Sequence, residues 1–406
     1  MAAKPRPPAE SMRPEALLAA AEPFTTPVAA VDVATMDANL FAMQQRVAAL
    51  GWRLRPHAKT HKSSFVARRQ IAQGAHGLTA ATLREAELFA DAGVDDILLA
   101  HPPVGAAKLR RVADLAARLR RLAVSVDSVE AVAGVPANVE ILWEVDSGHH
   151  RLGSVAGRTT VPAVHRLVEA VGIERFRGLL TFPGHVYAAR DPAGVASAAE
   201  HERAALRATV DLLRAEGIPV RELSLGSTPT IGLRDPAAGA APEVGDGSAA
   251  AARTATASDA GIVIEARPGS YVYGDVQQVA LGAMSQDDCA LGVVATVVAT
   301  PAVDRAVIDA GSKALAADVS VPTVQGYGRV AGRENLLVQR MSEEHGVLIA
   351  QGSSGLTVGD RVVVIPVHCC TTVNLHPAVL MVEGGAGWWD PVAARGWQAA
   401  TSGGGA

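Results

Sequence analysis

The sequence predicts a (β/α)8 barrel followed by a smaller, mostly β domain. Three observations carry that expectation. Short apolar runs alternate with helix-length amphipathic segments over residues 28–225, the pattern of a parallel sheet covered by helices. Eight such runs fit a closed barrel, with an open doubly wound sheet as the alternative. The residues that stand out chemically follow these runs, and in a barrel those strand ends converge on one face.

Taken in order, residues 28–33 read as the first strand and 37–50 as the first helix, with Leu40, Met43, Val47 and Leu50 on one face. Residues 51–54 form strand two, 76–81 strand three, 96–100 strand four, 122–127 strand five, 139–145 strand six, 176–182 strand seven and 221–225 strand eight. Helices are expected at 64–73, 83–92, 108–120, 161–171 and 195–216, several of them closed by glycine. Residues 236–260 are rich in Ala, Gly, Ser and Thr and read as a low-complexity insertion. Beyond residue 261 helical periodicity fades, and strands are expected at 262–266, 276–283, 290–300, 306–310, 336–341, 347–350, 361–367 and 378–382. The domain reading is therefore an N-terminal segment (1–27) that can pack with the β domain, a barrel (28–260), a β domain (261–400) and a disordered tail (401–406).

Composition narrows the function. Apolar residues make up 49% and charged residues 19% of 406, which suits a large buried interior. A net charge of −4 with 4% aromatic residues argues against nucleic acid. No apolar run is long enough to span a bilayer, and the start lacks the apolar region of a secretory signal. Three cysteines, two of them adjacent, are no disulfide framework, so reduced thiols and a cytoplasmic setting are expected.

Lys59 lies just past strand two, in Arg53-Leu-Arg-Pro-His-Ala-Lys-Thr-His-Lys62. A desolvated lysine among cations (Arg53, Arg55, Lys62, with His57 and His61) can form a Schiff base with a carbonyl cofactor; a basic rim loop is the alternative. Gly226-Ser-Thr-Pro-Thr230 and Pro268-Gly-Ser-Tyr271 offer hydroxyls and free N–H groups for a phosphate, or are ordinary turns. Arg151, after strand six, could face a ring nitrogen or a carboxylate. His185 and Tyr187, after strand seven, could carry protons or touch a cofactor. His368 and Cys370 would share one side of an extended run, as an open zinc-type site or as buried structural residues. Glu343, Glu344 and His345 read as a solvated turn that could supply a further ligand or acid/base group.

Several of these stretches occur in the order found in a known family. Arg55-Pro-His-Ala-Lys-Thr-His-Lys62, Thr26-Pro27 with Asp32, Gly184-His-Val-Tyr187, Gly226-Ser-Thr-Pro-Thr230, Pro268-Gly-Ser-Tyr271 with Asp275, Asp309-Ala-Gly-Ser-Lys313, Ser342-Glu-Glu-His-Gly346 and His368-x-Cys370 together resemble the fold-type III pyridoxal-phosphate enzymes. Within them the chain is most similar to the D-serine dehydratase and D-threonine aldolase family. The resemblance implies an α/β fold, an alanine racemase-like (β/α)8 TIM barrel with a D-serine dehydratase-like C-terminal β domain, and a homodimer.

It also implies that Lys59 carries pyridoxal 5'-phosphate. Ser227, Thr228, Gly269 and Ser270 would hold the phosphate, Tyr271 would also bind the cofactor, and Arg151, His185 and Tyr187 would line the ring and the substrate. A divalent metal would sit on His368 and Cys370; zinc suits these donors, with manganese and magnesium as the other candidates. His-x-Cys matches the family's dehydratase form, whereas Val373-Asn-Leu-His376 looks more like its aldolases. The activity implied is a lyase acting on a small D-3-hydroxy amino acid, by dehydration first and by retro-aldol cleavage as the alternative. A racemase and a non-catalytic cofactor carrier rank lower; a carrier needs neither the second domain nor His368-x-Cys370.

Overall fold

A computed structural model describes residues 12–232 and 261–396. The insertion at 236–260 and the tail at 401–406 lie outside the described residues.

The strands, in chain order, are β1 (Val28–Asp32), β2 (Arg53–Leu54), β3 (Leu78–Ala80), β4 (Asp96–Leu99), β5 (Arg121–Val126), β6 (Glu140–Asp146), the short β7 (Ser154–Val155), β8 (Phe176–Leu180), β9 (Glu222–Leu225) and β10 (Val263–Ala266). Eight of these, all but β1 and β7, form one parallel sheet with neighbours in sequence order, β2 to β6 and then β8 to β10. β10 pairs with β2 on one side. A parallel bridge from His57 to Thr79, with Thr79 N–H donating to Pro56 O at 2.8 Å, joins β2 to β3 and closes the barrel. Amphipathic helices cover it, and Leu78, Ile97, Val124, Ile141, Leu179 and Leu223 belong to the core shared by strands and helices.

The second domain is built from β11 (Leu291–Ala302), β12 (Arg305–Ile308), β13 (Gly328–Val330), β14 (Leu336–Met341), β15 (Gly346–Ala350), β16 (Arg361–Pro366), β17 (Ala378–Glu383) and β18 (Ala386–Pro391). The ring β11-β12-β15-β14-β13-β16 closes through the β11–β12 pairing, and β1, β17 and β18 extend it. The N-terminal helix α1 (Pro14–Ala21) packs on this sheet through Leu17 and Ala21.

Two strands sit elsewhere than their order in the sequence suggested. β1, expected as the first barrel strand, pairs antiparallel with β11 and parallel with β17, inside the second domain. The run at 262–266, expected in the β domain, supplies the eighth barrel strand, β10. Both are short apolar runs, and such a run carries no mark of the sheet it joins. A third difference is local: the expected strand at 276–283 is instead the helix Val276–Ala280, capped by Asp275, whose Oδ1 accepts from Gln278 N–H at 2.9 Å.

The barrel interior carries charge. Arg55 is fully buried, with Nε 2.6 Å from Glu265 Oε2 and Nη1 2.6 Å from Asp96 Oδ1. A Cβ on Gly77 would stand 2.4 Å from Arg55 Nη1 and 2.5 Å from Asp96 O, so only glycine lets this guanidinium in. Arg55→Leu leaves buried Glu265 without its ion pair and takes from Asp96 its shortest one, and is expected to cost about 3–5 kcal/mol of stability, read as a fall in the urea midpoint with the m-value unchanged. Among the described residues, no helix is long and apolar enough to cross a membrane.

Candidate active site

The carboxyl ends of the barrel strands open into a cavity of about 400 Å³ that is completed by the second domain. Lys59 stands in its wall, in the 3-10 turn Ala58–Thr60 that follows β2. Among the described residues its ammonium has no ion-pair partner, and it lies 5.6 Å from the Phe182 ring centre. The cations expected around it point elsewhere. Arg55 is committed inside the barrel, Lys62 pairs with Glu85 at 2.8 Å, and Arg53 is exposed beside His76. The other strong cation in the wall is Arg267, just past β10.

Ser227, Thr228, Gly269 and Ser270 line the same cavity as Lys59. Ser227 caps the short helix Thr228–Ile231 in a capping box with Thr230. Glu202, fully buried on the long helix Pro192–Ala215, accepts Gly226 N–H at 2.8 Å and fixes the turn before Ser227; burial pushes this carboxyl up to about 7. A Cβ on Gly269 would lie 2.9 Å from Thr60 Oγ1 and 3.0 Å from His57 O, so glycine is what lets the two loops meet.

Not every expected residue reaches the cavity. Tyr187 does, with its hydroxyl accepting from Gln278 Nε2 at 3.3 Å. Tyr271 does not: its ring is fully buried in the core between the domains and its hydroxyl accepts from Gln70 Nε2 at 3.1 Å. What Tyr271 brings near the site is its backbone N–H, which donates to Thr228 Oγ1 at 3.1 Å. His185 is not in the wall either and stacks edge-on against His201 at 5.8 Å. Arg151 is half exposed, with its guanidinium 5.2 Å from the Phe182 ring and 3.9 Å from Glu144, one layer outside the cavity.

Instead His149 and Phe182 form that wall, in edge-on contact at 5.5 Å. Asp146 Oδ1 accepts N–H groups from Gly148, His149 and His150 at 2.8–3.0 Å, which curls the loop and turns His149 inward. His57 also lines the cavity; burial, then Lys59 and Arg267, hold its imidazole well below the usual range, so it is neutral. From the sequence, His57 is named only among the cations around Lys59 and, after strand six, Arg151 is singled out rather than His149. Asp146-Ser-Gly148, a turn signature in which the aspartate accepts from the backbone that follows, is the signal in the sequence.

The second domain contributes His368 and Cys370. They were expected to share a side of an extended run, but the strand stops at Pro366 and Cys369–Leu375 is a helix with His368 at its N-cap. Asp275 Oδ2 accepts Cys369 N–H at 3.0 Å and anchors that start. Cys370 Sγ is 3.1 Å from Thr60 Oγ1, so the residue beside Lys59 touches one 310 positions away. Hydrogen bonds from Cys369 and His368 hold the Cys370 thiol well below its usual range despite burial. Burial would lower His368, but its bonds to Asp318 and Cys370 outweigh that and hold it well above. The result is a cysteine sulfur beside an imidazole on one wall, a pair that could give a metal ion a thiolate and a ring nitrogen once the ring's second proton is displaced. Among the described residues no cluster of three or more His, Cys, Asp or Glu could cage a metal ion. Glu343 and Glu344 are exposed and pair with Lys313, away from the cavity.

Two family models match: alanine racemase, N-terminal domain, over residues 31–246, and "Putative serine dehydratase domain" over 290–382. The D-threo-3-hydroxyaspartate dehydratase of Delftia sp. (strain HT23) is 34% identical over 92% of this chain and 98% of its own length. This chain belongs to the fold-type III pyridoxal-phosphate enzymes. Within this family the solved structure of the Delftia enzyme superposes with a TM-score of 0.77 over 92% of this chain and 98% of that one. A D-threonine aldolase of Arthrobacter sp. is 30% identical over 89% of each chain. The crystal structure of D-threonine aldolase from Filomicrobium marinum gives a TM-score of 0.76 at 28% identity, covering 96% of this chain and 99% of that one. These similar enzymes are a dehydratase and aldolases, and the chain is a pyridoxal-phosphate-dependent lyase.

The cavity suits that cofactor. It places a lysine with no ion-pair partner among the described residues in one cavity with the hydroxyls of Ser227, Thr228 and Ser270 and with Gly269. In its wall, His57 Nδ1 and Arg267 Nε are buried without hydrogen-bond partners among the described residues.

Proposed function

We propose that this chain dehydrates a D-3-hydroxy amino acid to a 2-oxo acid and ammonia, with a divalent metal, zinc by donor type, held by His368 and Cys370. The observation that carries this reading is the meeting of Cys370 with Thr60 at 3.1 Å, which sets a thiolate–imidazole pair beside Lys59 in one cavity. A cysteine-to-alanine mutant of the Delftia dehydratase has been solved in a metal-free form, which supports a metal in this branch of the family. The Delftia relative is also the more similar in sequence of the two enzymes compared.

Bound pyridoxal phosphate supplies an electron sink for charge developing at the substrate's Cα, and a bound metal ion supplies a Lewis acid for the β-hydroxyl. The chain's own residues do the rest. Ser227, Thr228, Ser270 and the backbone at Gly269 hold the phosphate. Arg267 is the guanidinium able to face the ring nitrogen, in place of Arg151; since it cannot deprotonate, it keeps that nitrogen unprotonated. Lys59 Nζ takes the proton from Cα and keeps it within the cavity. His149, Phe182 and Tyr187 enclose the reacting groups. His376, which looked aldolase-like in sequence, turns away, its Nε2 3.0 Å from Ala314 O.

Product analysis decides between the two lyase reactions. With D-serine, D-threonine and D-threo-3-hydroxyaspartate, dehydration yields pyruvate, 2-oxobutanoate and oxaloacetate, each with ammonia. Retro-aldol cleavage yields glycine plus an aldehyde. The expected result is a 2-oxo acid from at least one of the three; glycine as the main product would replace this reading with the aldolase.

A further inference from the structure

We propose that Asp318 is a positioning residue for His368: it fixes the imidazole tautomer so that Nε2, beside Cys370, is the nitrogen presented to a metal ion. Asp318 Oδ2 lies 2.5 Å from His368 Nδ1. A carboxylate only accepts, so the hydrogen of the neutral ring sits on Nδ1 and the lone pair is left on Nε2. The carboxylate is itself held, because Thr371 Oγ1 donates to Asp318 Oδ1 at 2.7 Å. One carboxylate therefore spans two positions in the first turn of the helix that carries Cys370.

The loop bearing Asp318 is fastened on both sides. Ala316 N–H donates to Thr372 Oγ1 at 3.1 Å. Gln277, almost fully buried, accepts Ser320 N–H at 2.6 Å and Val321 N–H at 3.1 Å through one oxygen. Ser320 and Gln277 both line the cavity. The loop is thus built into the site, and a carboxylate–histidine pair in such a setting orients the ring and raises its strength as a ligand.

This inference rests on the reading that His368 and Cys370 hold the metal, and the experiment separates the two. Zinc affinity is measured on the full chain loaded with pyridoxal phosphate, by competition with a chromophoric chelator. The variants are Asp318→Ala, Asp318→Asn and His368→Ala. Asp318→Ala is expected to bind zinc about 10- to 100-fold more weakly, with the cofactor absorbance unchanged. Asp318→Asn keeps an oxygen that accepts from Nδ1–H and should recover much of that loss. In Asp318→Ala loaded with cobalt(II), the thiolate-to-metal absorbance should persist at saturation, showing that Cys370 still binds. Wild-type affinity in Asp318→Ala, or equal losses in the Ala and Asn variants, would overturn the positioning role while a loss in His368→Ala left the metal reading standing. Undiminished zinc binding by His368→Ala would remove the metal reading itself, and this inference with it.

Discussion

Lys59→Ala is expected to fold, to lose the long-wavelength absorbance of bound pyridoxal phosphate after dialysis, and to lose at least about three orders of magnitude in kcat. The lysine is half-buried in the cavity wall and has no ion-pair partner among the described residues, so its removal breaks no ion pair in the fold. Its loss removes both the covalent anchor of the cofactor and the base placed at Cα. Lys62→Ala is the matched control from the same motif. Lys62 pairs with Glu85, whose Oε2 accepts Ala81 N–H at 2.7 Å, so that variant should cost stability and keep the absorbance. Retention of the absorbance by Lys59→Ala, with loss in Lys62→Ala, would transfer the anchor to Lys62.

Cys370→Ala should separate the two halves of the chemistry. The cofactor spectrum is expected to stay, because the phosphate hydroxyls and Lys59 come from the barrel. The dehydration rate is expected to fall by about two orders of magnitude, the scale of losing Lewis-acid help at the leaving hydroxyl. Added zinc should no longer stimulate the enzyme, and a chelator that inactivates the wild type should have little left to remove. A Cys370→Ala enzyme as active and as sensitive to chelator as the wild type would place the metal elsewhere. Cys369→Ala is the neighbouring control. Its buried sulfur hydrogen-bonds Cys370 and lies 3.9 Å from Ser270 O, so the change is expected to weaken metal binding while leaving the activity dependent on the metal, in contrast to Cys370→Ala.

Much of the site was legible in the chain because its residues sit in short, ordered stretches. Lys59, Ser227, Thr228, Gly269 and Ser270 each follow an apolar run, and a barrel gathers such positions on one face. Side-chain direction was less accessible. Tyr271 and Ser270 are adjacent, yet Ser270 faces the cavity and Tyr271 is sealed in the core between the domains. His149 and Arg151 are two residues apart, and only the curl imposed by Asp146 decides which of them turns inward.

By itself the sequence determined the alternation that makes a parallel barrel, the change of texture that starts the β domain, and the identity of the lysine, hydroxyl and His-x-Cys groups. These are properties of local pattern: hydrophobic period, turn residues and residue type. Only the tertiary structure decided that Val28–Asp32 leaves the barrel and Val263–Ala266 completes it, since apolar strands of either sheet look alike until paired. It alone brought Cys370 to Thr60 and Asp318 to His368, contacts spanning 310 and 50 residues. The first is set by how two separately closed sheets pack together and the second by how the β domain folds on itself, and no local pattern along the chain encodes either contact.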